Sequence, residues 1–319
     1  MNMPAIKRII LGLFLVASLV DTSAQESTFN PVPFWIYTPY VYNPAIVGTK
    51  DFLTVDMNAL FKDKINTQIL GGNARFSKTS SGYSTSPDIL EFRNTGFGAS
   101  VYHGVNGPTR NIGVNAAASY QIPLSLRKLS YLSFGLSGKG VYNMYDSIAA
   151  ETGGSVRKTF HPNIDAGLYF YTPSFYTGLS AANILDDPEM PDSLGIYGIP
   201  ASRQYFFTAG FKILLSKSLN IVLEPSIITS VNDSTITEAY NYINPVIKLY
   251  VENFCIGSYF LNEGNISFFF QYRFPSMYVG AFFEIPQKSP YYKTEPVIEF
   301  TLGLNLRKDK SRLSKSSRW

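Results

Sequence analysis

Between Asn111 and Ile122 every second residue is apolar or aromatic, and this alternation restricts the fold more than any other feature of the chain. Ile112, Val114, Ala116, Ala118, Tyr120 and Ile122 fall on one side, and Asn111, Gly113, Asn115, Ala117, Ser119 and Gln121 on the other. Successive side chains of a strand point oppositely, so the segment reads as a strand with one apolar and one polar or small face. The pattern returns where Leu132, Phe134 and Leu136 oppose Ser133, Gly135, Ser137 and Lys139, and again in Arg203–Leu214. Helical periodicity is almost absent. Soluble strands average about five or six residues, and several stretches here run longer. A soluble sandwich would turn the apolar face inward, whereas a membrane barrel turns it to lipid and keeps a polar interior. The pattern alone does not separate the two. Composition favours the barrel: 45% of residues are hydrophobic, 15% aromatic and 16% charged, where soluble domains carry about 25% charged residues. No run of 18 apolar residues follows the N-terminal region, which excludes helical spans there.

Fourteen segments fit strands: 51–60, 66–76, 96–105, 110–122, 129–142, 161–171, 175–184, 203–214, 219–229, 240–249, 254–261, 266–274, 277–284 and 296–306. The expected fold is therefore all-β, a transmembrane antiparallel up-and-down β-barrel of about 14 strands over residues 51–306. Short and long connections should alternate if one rim faces the periplasm and the other the exterior. Ser77–Arg93 is long where a short turn is expected, so 12 or 16 strands stay open. Asn143–Phe160 and Leu185–Ser202 are the principal outer loops.

The ends of the chain set the compartment. Lys7 and Arg8 precede an apolar stretch from Ile9 to Val20, and Thr22-Ser23-Ala24 offers a cleavage point. Residues 1–24 thus read as a signal peptide. Residues 25–50 form a Pro- and aromatic-rich lead-in, whose four prolines oppose a continuous strand or helix. It would fill part of the lumen, cover the periplasmic mouth, or lie on the surface as an irregular lead-in. Residues 307–319 form a basic tail with six bases against one acid. That +5 accounts for the net charge of +4 and leaves the barrel slightly acidic, which is not the footprint of a nucleic-acid binder. Cys255 is the single cysteine, so no intrachain disulfide forms, and a buried place in a strand is expected for it.

No chemistry-bearing constellation emerges. His103 and His161 have no second His or Cys at ligand spacing, so no metal site is expected. The acids Asp186, Asp187, Glu189 and Asp192 share a loop but match no calcium-loop spacing. Nucleophile-elbow, phosphate-loop and dinucleotide signatures are missing. No catalytic residue and no cofactor are expected, and the chain reads as a non-enzyme.

Several segments, in order, resemble the PorP/SprF family of type IX secretion membrane proteins from Bacteroidota. The first is Tyr42-Asn43-Pro44-Ala45-Ile46-Val47-Gly48, matching a Tyr-Asn-Pro-Ala-x-x-Gly element. Gly96-Phe97-Gly98, the turn Gly107-Pro108 and Asn111-Ile112-Gly113 follow. Then come Leu129–Leu136, Tyr176–Leu185 with Asn183, and Arg203–Gly210. The ordered set covers about residues 25 to 306. The family commonly finishes at its last strand, whereas this chain continues into the basic tail, and Tyr240–Pro290 matches loosely.

The resemblance implies a non-catalytic outer-membrane barrel in type IX protein secretion, in some members linked to gliding motility. Its partners would be outer-membrane lipid, other secretion components, and a secreted adhesin or its C-terminal sorting domain. Tyr42, Asn43, Pro44, Ala45, Gly48, Gly107, Pro108 and Asn183 are then structural or partner-binding residues. Arg307, Lys308, Lys310 and Arg312 are candidate periplasmic contacts. The alternative is a transport barrel for small hydrophobic solutes, with residues 25–50 as its plug.

Overall fold

Alternating strands of this length satisfy their backbone only by pairing on both edges, and the chain does so by closing into a ring. The computed structural model describes residues 32–50, 53–62, 65–75, 94–106, 109–125, 129–145, 157–185, 202–261, 265–285 and 296–306. The expected signal peptide, segment 77–93, the Gly107-Pro108 turn and the basic tail lie outside these residues.

In chain order the strands are β1 (Leu53–Lys62), β2 (Ile65–Arg75), β3 (Thr95–Asn106), β4 (Thr109–Ser125), β5 (Ser130–Tyr145), β6 (Arg157–Tyr171) and β7 (Phe175–Ala182). They continue as β8 (Gln204–Phe211, resuming after Lys212 as Ile213–Ser216), β9 (Ile221–Asn232), β10 (Ile243–Val251), β11 (Phe254–Phe260), β12 (Ile266–Arg273), β13 (Met277–Ile285) and β14 (Val297–Leu306). Each pairs antiparallel with the next, and β14 returns to β1 from Leu53↔Leu306 to Phe61↔Ile298. The ring therefore has no first or last strand to serve as an open edge, although β6 pairs with β7 only over Ala166–Tyr171 and its outer half pairs with β5 alone among the described residues. All fourteen expected segments are strands. Because β2 pairs directly with β3, from Ile65↔Asn106 to Arg75↔Gly96, segment 77–93 joins neighbours and adds nothing to the ring. The count is fourteen.

β1 begins and β14 ends at one rim, where the connections after β4, β6, β8, β10 and β12 are all short. That rim faces the periplasm by the usual arrangement of such barrels. Just inside it, outward-facing Phe170, Phe175 and Phe211 cluster on one side and Phe254, Tyr272 and Phe274 on another. Aromatic bands of this kind mark the membrane interface.

Two boundaries differ from expectation for visible reasons. A strand was expected from residue 240, but Ile236–Tyr242 forms a 3-10 helix and β10 starts at Ile243. The Asn232 carboxamide oxygen accepts from the Ser234 and Thr235 amides at 3.0 and 2.9 Å, and the Glu238 amide donates to Thr235 O. These bonds start a turn that runs on into the 3-10 helix and delays the strand. β5 and β6 also extend past their expected ends, pairing out to Tyr145↔Arg157. The outer loop expected at Asn143–Phe160 thereby shortens to 146–156.

The two faces of the wall divide as the alternation requires. On β14, Ile298, Phe300, Leu302 and Leu304 point outward and are exposed, while Val297, Glu299 and Thr301 point inward and are buried. On β4, Ile112 and Val114 are exposed and Asn111, Asn115, Ser119 and Gln121 are buried. Among the described residues no helix is long and apolar enough to cross a membrane; the strands do so.

The inner face also carries a device that periodicity does not reveal. Tyr102 lies opposite Gly113, Tyr176 opposite Gly210, Phe269 opposite Gly257 and Tyr278 opposite Gly303. A β-carbon at any of these glycines would collide with the ring across from it. Each ring therefore lies flat along the wall over its neighbour's bare backbone, as in the aromatic rescue of glycine. Replacing Gly113 by Leu should lower stability by about 1–3 kcal/mol through overpacking, read by urea titration of the folded and unfolded gel bands. Gly138, exposed and with open space around it, should accept Leu without loss.

Candidate functional site

The described part of the lead-in, residues 32–50, enters the ring. Val32–Tyr37 is a short helix, and Pro39–Val41 and Pro44–Ile46 are 3-10 turns, each opened by its proline. Proline suits a first turn because its missing N–H would have no intrahelical partner. Pro33, Pro39 and Pro44 thus break the segment into short turns, one of them helical. Trp35, Tyr37, Tyr40, Val41, Tyr42, Ala45 and Val47 are buried there.

Each position of the Tyr42–Gly48 element meets a defined part of the inner wall. The Tyr42 ring packs between Trp35 and Phe206, at 5.2 and 5.4 Å between centroids. Asn43 does two jobs. Its oxygen accepts from the Ala45 amide at 3.0 Å, capping the second 3-10 turn. Its Nδ2 donates to Leu168 O and Leu179 O at 3.1 and 3.3 Å, carbonyls of a directly opposed pair on β6 and β7. Ala45 O accepts from Ser133 Oγ at 2.6 Å. Val47 O accepts from Ser119 Oγ at 2.6 Å and from Gln121 Nε2 at 3.1 Å. Gly48 has φ +67°, and a β-carbon there would also strike Gly96. Earlier in the segment, Tyr37 Oη donates to Phe270 O and Ala281 O at 3.1 and 2.9 Å, again opposed carbonyls, here of β12 and β13.

The wall prepares a bed for this segment. Gly96, Ser119, Gly135, Gly167 and Ser180 are successive register partners across β3 to β7. A β-carbon at Gly96 would collide with Val47 O, one at Gly135 with the Pro44–Ala45 peptide, and one at Gly167 with the Asn43 side chain. Three strand spacings separate Gly167 from Gly96, about 14 Å. Asn43 to Gly48 covers that distance with one compact turn included. The glycine-containing strands and the Tyr-Asn-Pro-Ala element are two halves of one contact.

Asn183 plays a different part. It is buried at the outer end of β7 with φ +57°. Its amide donates to Asp165 Oδ1 at 2.8 Å, and its Nδ2 donates to Ser202 O at 3.3 Å across the mouth of the following loop. Asp165 also pairs with Lys139 at 2.6 Å and accepts from Ser137 at 3.1 Å. Toward the periplasmic rim Glu224 gathers Tyr176 at 2.9 Å, Tyr250 at 3.1 Å, Lys248 at 3.1 Å and Lys212 at 3.9 Å from β7, β8 and β10. Tyr278 hydrogen-bonds Asp56, and Thr301 hydrogen-bonds Asn58. The interior thus carries several polar clusters around a wedged segment.

The remaining sequence candidates do not converge. His103 is exposed on the outer face and His161 is buried on the inner face. Among the described residues no three His, Cys, Asp or Glu side chains gather as metal ligands. Cys255 is buried on the lumen side of β11. Gly107, Pro108, Arg307, Lys308, Lys310 and Arg312 lie outside the described residues.

Asn43→Asp keeps the shape but turns an oxygen toward two carbonyls, so it should release the segment at least as fully as Asn43→Ala, which forfeits bonds worth about 1–3 kcal/mol. Gly135→Leu strikes backbone rather than a movable side chain and should do the same. In planar bilayers all three variants should conduct where the unaltered protein does not, while Gly138→Leu stays closed.

Among solved structures the chain is similar to the Acinetobacter baumannii outer membrane protein Omp33 (12% identity, TM-score 0.42, covering 81% of this chain and 100% of that one). It is also similar to CdiB from Acinetobacter baumannii (10%, 0.42, covering 79% and 59%) and to the KdgM porin (9%, 0.38, covering 80% and 99%). No curated protein matches. The family described as type IX secretion system membrane protein PorP/SprF matches residues 28–304, a span containing both the Tyr42–Gly48 element and the strands that receive it. With a closed ring, a lipid-facing apolar exterior and this match over nearly its whole length, the chain belongs to the PorP/SprF family of type IX secretion membrane proteins and is an outer-membrane barrel.

Proposed function

We propose that the protein is a non-catalytic component of type IX secretion that anchors or receives an exported surface protein at its outer rim and meets periplasmic secretion components at its short-turn rim. The observation that carries this reading is the occupied lumen. A segment bound along β3 to β7 by hydrogen bonds and glycine contacts leaves rims and surfaces, rather than a conduit, as the working parts.

The outer rim is suited to holding a client. Phe170, in the aromatic band, lies near the periplasmic end of β6, and the strand continues from there back to Arg157. Thirteen residue steps span about 43 Å along a strand, more than the roughly 25 Å apolar height of such barrels even when tilted by 35–45°. β4 to β6 therefore carry ordered sheet beyond the membrane, beside segments 146–156 and 186–201. The client would be a secreted adhesin or its C-terminal sorting domain, with gliding motility as one use of it. β14 ends at the opposite rim, so Arg307, Lys308, Lys310 and Arg312 are positioned in sequence to offer positive charge to periplasmic partners. Family membership supports other secretion components as those partners.

A tagged protein purified from outer membranes should bring down secretion components and one exported surface protein, and a deletion strain should lose that protein from its surface. Recovery of neither, with surface display intact, removes the reading. Transport of small hydrophobic solutes requires residues 25–50 to leave the lumen. If liposome uptake of such a solute by the intact barrel equals that of a barrel lacking this segment, transport becomes the better reading.

A further inference from the structure

Among the described residues the outer face of the barrel carries a row of exposed apolar side chains, and one part of it is concave. On β10 to β13 it is indented by a groove of about 560 Å³, within the roughly 300–1,000 Å³ range of small-molecule sites. Its floor is made by two small outward residues. Ser258 lies opposite Ile247 on one side and Phe268 on the other, and Ala281 lies opposite Phe270. Leu249, Ile256 and Phe283 raise the sides. A serine on a lipid-facing surface would normally present a polar group to hydrocarbon, at a cost unless it is hydrogen-bonded. Here the Ser258 hydroxyl donates to Ser267 O at 3.0 Å, within the wall. The notch it leaves is therefore lined by apolar groups.

Its height is fixed by the aromatic band. Phe254 and Tyr272, 5.6 Å apart between centroids, mark the periplasmic interface on these same strands. Ile256, Ser258, Phe270 and Phe268 lie two to four residues further into the membrane from those rings. The groove thus opens to the hydrocarbon of the periplasmic leaflet. This wall is also short, with seven residues in β11 and eight in β12.

We propose that the groove is a binding site for one acyl chain of a phospholipid from the periplasmic leaflet, held as a resident lipid. An acyl chain fits because its polar end can remain at the level of Phe254 and Tyr272 while its tail fills a slot that offers no hydrogen bond. A void between rigid aromatic side chains forfeits dispersion contacts, and a flexible chain restores them. Ser258 fits the same role: a larger apolar residue would fill the notch itself.

Native mass spectrometry of the full barrel, extracted in mild detergent and washed by exchange, tests this. The unaltered protein should retain one phospholipid. Ser258→Phe and Ala281→Phe, which fill the floor independently, should each lose it, whereas Leu136→Phe on the opposite wall should keep it. Heat-modifiable mobility on gels selects variants that fold, so a failure of one floor variant leaves the other to decide. The proposal is overturned if the unaltered protein retains no phospholipid, or if folded floor variants retain as much as it does. It is equally overturned if the species lost from them is a membrane protein or an acylated peptide.

Discussion

Hydrocarbon offers a peptide group no hydrogen-bonding partner, and the whole molecule follows from that deficit. An open sheet would leave two rows of amides and carbonyls facing lipid, each group costing several kcal/mol. The pairing of β14 with β1 removes both rows at once. Closure then creates the next demand, because a ring of fourteen strands encloses more space than its own side chains fill. The protein meets it partly with large rings laid over glycines and partly by returning its own N-terminal segment into the interior. Glu224, Asp165 and Asp56 are tolerated there because each is paired or hydrogen-bonded to groups on neighbouring strands.

Filling a lumen with chain raises the same deficit again, since the inserted backbone also needs partners. Prolines lower the number of amides to satisfy, and short 3-10 turns pair several of the rest within the segment. Ser119, Gln121 and Ser133 reach the carbonyls left over. Asn43 and Tyr37 work in the other direction, donating from the inserted segment to the wall. Close approach is as necessary as polarity. With side chains at Gly96, Gly135 and Gly167, the backbone could not come near enough for these bonds to form.

How much of this is legible in the sequence depends on the range of the interaction responsible. Alternation is local, and so the fourteen strands, their facing and the closed barrel follow from runs such as Asn111–Ile122. Boundaries fail where a local competitor is overlooked, as with the Asn232 turn that delays β10. The Tyr42–Gly48 element is visible as a motif, but its reason is not, because its partners on the wall lie between 25 residues away, at Asn73, and 164 residues away, at Phe206. The same holds for the ring-over-glycine pairs, which depend on register between strands. A glycine such as Gly135 has several readings in one dimension and one in three dimensions.

The two sides of the ring carry different work, and strand length decides which. β4, with 17 residues, and β11, with seven, cannot both match one membrane thickness. The tall side holds the inserted segment toward its periplasmic end, at Gly96, Gly135 and Gly167, and raises sheet beyond the lipid at its other end, Tyr145 and Arg157. The short side has no such surplus, and its outward face is given to bilayer contact. A partner outside the membrane and a lipid within it would thus be served by opposite walls. A mutation on one wall should be felt on the other only through the lumen, where Tyr37 bonds to β12 and β13 and Asn43 bonds to β6 and β7 within a single short segment.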